Sequence, residues 1–203
     1  MQSLSEIDTT SKRASKAAGF SWGIAEEIGK SIRSLELFGL PGIINLNLYL
    51  KKIKKNHPEK LNKIDKENKP QNKELCPIYC GVAFLDQCKQ LENLVSIKFY
   101  NVNYPLLILP FISRASEILG KKILVQFNNT SFLTNFDKSI LSKNIDEKVN
   151  PLTNEISIEF LENKNSFSDQ DWKELYQLSE ETFVEESDSL KQSGAGAGLT
   201  DND

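Results

Sequence analysis

Apolar residues recur every three to four positions through the first half of the chain and every two positions in parts of the second. That pattern predicts helices followed by strands. The clearest helical segment is 22–38. Ser21 is placed to cap its free N–H groups, and Gly39 followed by Leu40 and Pro41 is a stop signal. Ile24, Ile28, Ile32 and Leu35 form one apolar stripe. Trp22, Ala25 and Gly29 form a second face with almost no bulk after the tryptophan, so the helix is expected to be covered on two sides. Glu26, Lys30 and Arg33 share a third face, with Glu26 four residues before Lys30 in the favourable orientation.

The neighbouring segments carry similar punctuation. Ser3 and Glu6 form a capping box, and Leu4, Ile7, Ser11, Ala14 and Ala18 continue at helical spacing to Gly19. With only Gly19 and Phe20 between them, the first two helices should fold back as an αα-hairpin. A third helix begins near Pro41-Gly42, carries Ile43, Ile44, Leu46, Leu48, Tyr49, Leu50 and Ile53, and ends in a basic turn. From 49 to 73 there are nine lysines and three acids, with Pro58 and Pro70. So little apolar content predicts a solvated loop at about 54–75. Cys76-Pro77 then opens a helix over 78–92, in which Cys80, Phe84, Cys88 and Leu91 fall on one stripe.

A strand at 94–100, a helix over 105–119 stopped by Gly120 and a strand at 122–127 have the length of a βαβ unit. Asn128-Asn129-Thr130 turns the chain into a hairpin partner at 131–135. After a polar loop, 155–161 alternates with Ile156, Ile158 and Phe160 on one face. Ser168 and Asp171 form a second capping box, with Phe167 and Trp172 at the staple positions. The pattern predicts an α+β fold. A helical N-terminal half packs on a small mixed sheet of about four strands containing one βαβ unit, closed by a C-terminal helix and an extended tail. One compact domain over 1–192 is expected, with a helical layer at 1–93, a sheet-containing layer at 94–192 and a Gly/Ala-rich acidic tail at 193–203.

At 203 residues and net charge −3, the chain has no overall field to gather nucleic acid or anionic lipid. The N-terminus lacks a charged region followed by an apolar one, and the apolar run at 105–112 is too short to span a bilayer. A cytoplasmic protein with neither nucleic-acid nor membrane partners is expected. Cys76, Cys80 and Cys88 are an odd number without paired spacing and lack a fourth ligand, so neither a disulfide framework nor a metal is expected. Cys80 stands near a helix start, where the dipole lowers a thiol pKa, but it also falls on the apolar stripe; a nucleophile and a buried thiol are the two readings. The only histidine, His57, lies in the lysine-rich loop, which argues against a His-assisted nucleophile. No cofactor is implied, because no glycine-rich phosphate loop follows a strand.

Two places are left for chemistry. Ligands in open α/β sheets bind beyond the carboxyl ends of strands, where this chain has Asn101, Asn103 and Tyr104. A cleft there, joined by Trp22 and Arg114, would use Glu26, Glu27 and Asp86 for acid–base work. The first reading is therefore a small-molecule-binding protein, or a cofactor-free enzyme using those carboxylates. The second is a non-catalytic accessory or assembly subunit that holds a protein partner, or another copy of itself, through Asp201, Asn202 and Asp203 at the tip of the tail.

The stretches Ser-Trp-Gly-Ile-Ala-Glu-Glu-Ile-Gly-Lys at 21–30, Phe-Gly-Leu-Pro-Gly at 38–42 and Gly-Ala-Gly-Ala-Gly-Leu-Thr-Asp-Asn-Asp at the end resemble an uncharacterised bacterial family of about 200 residues, a domain of unknown function. The resemblance implies that the tail belongs to the protein proper, and carries no activity with it.

Overall fold

The computed structural model describes residues 2–54, 58–135, 140–143 and 151–182. Its contacts divide the chain into two compact units, Met1–Asn163 and Lys164–Asp203, with the division earlier than the expected start of the tail. The first unit is an α+β assembly of helices and a mixed sheet.

Helices α1 (Leu4–Ala17) and α2 (Trp22–Leu37) form the hairpin that the short linker demands. Ser3 and Glu6 complete the capping box, and Ser21 Oγ accepts from the Ile24 N–H. The two helices approach so closely at Gly29 that a Cβ there would fall 2.5 Å from Asp8 Oδ1 and 2.8 Å from the Asp8 carbonyl oxygen. Along α2, Ala25, Ile28, Ile32 and Leu35 are buried, whereas Trp22 is 58% exposed with the Lys16 ammonium over its ring. The side-chain pairing differs from the i,i+4 expectation. Glu27 pairs with Lys30, and Glu26 reaches Lys12 on α1, because the neighbouring helix supplies a nearer cation. Helix α3 (Gly42–Ile53) follows and buries Leu46, Tyr49, Leu50 and Ile53.

Within the segment expected to be a solvated loop, a two-residue strand joins the sheet while most of the described side chains around it are exposed. Strand β1 (Glu67–Asn68) runs parallel to β2 (Ser96–Asn103), and Leu75 forms a further parallel bridge to Val102. Ile64, Asn68 and Leu75 are buried. The polar composition is compatible with this because an edge strand needs few apolar residues when its backbone and one buried amide bond to the neighbour.

Helix α4 (Pro77–Leu91) lays its stripe of Cys80, Phe84, Cys88 and Leu91 into the core, with the Phe84 ring stacked 6.0 Å from Phe160. After β2 comes a 3-10 turn, Pro105–Ile108, and then α5 (Leu109–Leu119), where Pro110 sits in the first turn and needs no N–H partner. Gly120, at φ 61°, is the left-handed stop. Strand β3 (Lys122–Phe127) turns through Asn128 and Asn129, both at positive φ, into β4 (Thr130–Thr134); two such residues make the hairpin turn that suits strand twist.

The sheet order is β1-β2-β6-β3-β4-β5, with β5 (Ile140–Lys143) and β6 (Leu152–Leu161) completing six strands among the described residues where about four were expected. β2 and β3 both run antiparallel to β6. They are therefore parallel to each other, and the βαβ unit is split, with β6 inserted between its two strands. Ile156, Ile158 and Phe160 are buried, as their alternation predicts.

In the second unit, α6 (Asp169–Glu180) starts at the Ser168–Asp171 capping box, with Phe167 and Trp172 stacked at 5.8 Å. Residues 193–203, including Asp201, Asn202 and Asp203, lie outside the described residues, as does His57. Among the described residues no helix is long and apolar enough to cross a membrane.

Candidate functional site

The predicted site residues among those described separate into five places. Glu27 and Arg114 do come together: Arg114, on α5, donates from Nη1 to Glu27 Oε2 on α2, while Lys30 Nζ donates to Glu27 Oε1 at 3.0 Å. The Arg114 guanidinium also lies over the Phe111 ring, and its buried Nη2 has no hydrogen-bond partner among the described residues. Asn103 belongs to a second cluster, accepting from Lys52 Nζ at 2.5 Å beside the Lys52–Glu74 ion pair. Asn101 lines a polar groove of 470 Å³ with residues of 70–74. Tyr104, at φ 40°, turns inward and packs edge-on against Tyr49. Trp22, Glu26 and Asp86 are exposed on the helical surface.

Burial alone would push the Glu27 carboxyl up, but the hydrogen bonds and charges of Arg114 and Lys30 outweigh it and hold the carboxyl below the ordinary value of 4.5. A group depressed in this way stabilises the fold fully above its unfolded pKa, and that stabilisation is lost as pH falls through the folded value. Glu27→Gln should therefore flatten the loss of stability below about pH 4.5, followed by urea unfolding across pH 3 to 7. With side chains 25% and 29% exposed, water screens the pair, and the cost at pH 7 should be about 1 kcal/mol.

Another pocket lies apart from these residues. A cavity of 250 Å³ opens where the α1–α2 turn, α3 and the start of α4 meet. Ala18 and Gly19 form one rim, and Phe20, Ile53 and Tyr79 line its walls. Its floor is made by Tyr49 and Cys76, both fully buried, whose Oη and Sγ share a hydrogen bond at 2.7 Å. Cys76 is there because it caps α4: its Sγ accepts from the Tyr79 N–H, a role usually taken by Ser, Thr, Asp or Asn. Lys60 stands at the exposed edge with Nζ 4.7 Å from the Tyr79 ring centroid. A second groove of 370 Å³, between α1 and α3, is lined by Ile7, Ala14, Ile43 and Leu46 and by Glu6, which its capping box already occupies.

Burial raises the thiol pKa of Cys76, even against the Tyr49 hydrogen bond and the helix N–H groups, and raises that of Cys80 further. Burial likewise keeps the Tyr49 hydroxyl protonated. The nucleophile reading of Cys80 therefore fails on accessibility: the side chain is fully buried, and desolvation of the thiolate overrides the helix dipole. Ellman's reagent at pH 8 should leave Cys76, Cys80 and Cys88 unmodified in the folded protein and titrate all three in guanidinium. A fast native reaction would show a thiol reachable from the cavity.

Sequence reasoning missed Phe20, Tyr49, Lys60 and Tyr79 as site residues. Tyr49 and Cys76 are 27 positions apart, and no local periodicity links them. The one available signal was the thiol at a helix start.

A family described as "Protein of unknown function (DUF3726)" matches residues 2–75. Comparison with curated proteins and with solved structures yields no match. The matched stretch spans α1, α2 and α3 and supplies all of the cavity lining except Cys76 and Tyr79. It stops well short of the C-terminal Gly/Ala-rich motif.

Proposed function

We propose that this chain is a small-molecule-binding protein whose ligand occupies the cavity above the Tyr49–Cys76 pair. The carrying observation is a preformed, largely apolar concavity with three aromatic rings in its lining and a charge at one edge, the usual make-up of ligand sites. A cavity of about 150 Å³ holds benzene, so 250 Å³ suits one ring with a short substituent. Glu26, Glu27 and Asp86 lie outside the lining, which favours binding over carboxylate catalysis at this place. Native mass spectrometry of gently purified protein should show a bound small molecule that Ala18→Phe, which fills the rim, excludes while the melting temperature holds. Retention of the molecule by that variant would place the site elsewhere.

A second reading, an accessory subunit, is favoured by α6. Trp172, Leu175, Tyr176 and Leu178 are each more than half exposed, beside Asp169, Asp171 and Glu174. That combination suits a partner groove with an apolar floor and a basic rim. Deleting 164–203 should then abolish partner capture, and undiminished capture would eliminate this reading.

A further inference from the structure

The polar and apolar groups around the cavity are sorted by depth, and the sorting restricts what can bind. At the floor, Tyr49 Oη and Cys76 Sγ share one hydrogen bond, which uses one of their two protons, and the same sulfur accepts from the Tyr79 N–H. Both side chains are neutral, so the floor offers no charge. The inner end of a ligand therefore meets at most one remaining O–H or S–H donor and no charge, and a charged or strongly polar inner end would lose most of its bonds to water without replacement. An apolar inner end loses nothing.

The outer edge is the opposite case. Among the described residues, Lys60 is the only charged side chain in the lining, although the protein as a whole is net negative. Lys60 forms no ion pair among the described residues, and its ammonium rests over the Tyr79 ring. Among the described residues no acidic side chain lines the cavity. The 15-residue α4 begins at the Cys76 and Tyr79 wall, so the positive end of its dipole adds to the field of Lys60. A cationic ligand would face two positive sources and no carboxylate.

We infer that the cavity takes a one-ring aromatic monocarboxylate, its ring on the Tyr49–Cys76 floor against Phe20 and Ile53, and its carboxylate directed outward to Lys60. This rests on the cavity being the ligand site, and it adds the charge, size and orientation of the ligand. Phenylacetate is the matching probe, with phenylacetamide as its neutral isostere and phenethylammonium as its cationic counterpart.

The test is titration of the full chain with the three probes, read by amide chemical shifts at low ionic strength, in the native protein, Lys60→Met and Ala18→Phe. Phenylacetate should bind about fivefold more tightly than phenylacetamide, the gain of one partly exposed ion pair. That preference should vanish in Lys60→Met and shrink in high salt, while Ala18→Phe should lose both probes. Equal binding of acid and amide, or a preference for the cation, overturns the inference and leaves the cavity reading standing. Failure of all three probes to shift residues around Phe20 and Tyr79 overturns both.

Discussion

Replacing Gly81 with alanine should destabilise the protein by about 2–3 kcal/mol, the cost of overpacking a site that cannot yield. A Cβ at Gly81 would fall 2.4 Å from Phe111 Cδ2 and 2.6 Å from its Cγ. Phe111 is fully buried on α5 between α4 and the rest of the core, so its ring has nowhere to swing. Helix propensity alone argues the other way, since alanine in a helix interior is favoured over glycine by about 1 kcal/mol. The steric term is larger, and the sign of the measured change decides between them. Urea unfolding of Gly81→Ala, of Phe111→Leu and of the double variant should show the first two costs to be strongly coupled, because the smaller side chain makes room for the methyl group. A stabilised Gly81→Ala would mean that α4 and α5 cross less closely than described.

Asn68→Ala is the second large effect, expected at about 2 kcal/mol from three lost hydrogen bonds at a buried site. Asn68 is 4% exposed, and its Oδ1 accepts from the Asp65 N–H. Its Nδ2 donates to the Asp65 and Lys98 carbonyls at 2.7 and 3.0 Å. This one amide ties β1 to β2, next to the backbone bond from Lys98 N–H to the Lys66 carbonyl at 2.9 Å. The Lys98 amide should exchange with deuterium faster in the variant by more than the global loss of stability explains. Unchanged protection there would contradict the account of 58–75 as an ordered sheet edge. The consequence reaches the cavity, because the same segment carries Pro58 and Lys60. Phenylacetate binding should weaken in Asn68→Ala as well, whereas Gly81→Ala should alter stability without removing any lining group.

The features legible in the sequence are those whose causes lie within a few residues. Two capping boxes, the Gly120 stop and the Asn128-Asn129 turn each satisfy backbone groups or φ requirements locally, so residue type and spacing suffice. The Cys80, Phe84, Cys88 and Leu91 stripe and the Ile156, Ile158 and Phe160 alternation are equally local, because one element has one buried face. Tertiary structure decided every question of partner. Glu26 turns to Lys12 rather than Lys30, β6 enters between two strands joined by α5, and a lysine-rich stretch becomes a sheet edge. The cavity is of this second kind. Tyr49 on α3 and Cys76 at the start of α4 meet only through tertiary packing, and the 58–75 segment brings Lys60 to the same cavity. Periodicity records which face of an element is buried and carries no information on what buries it.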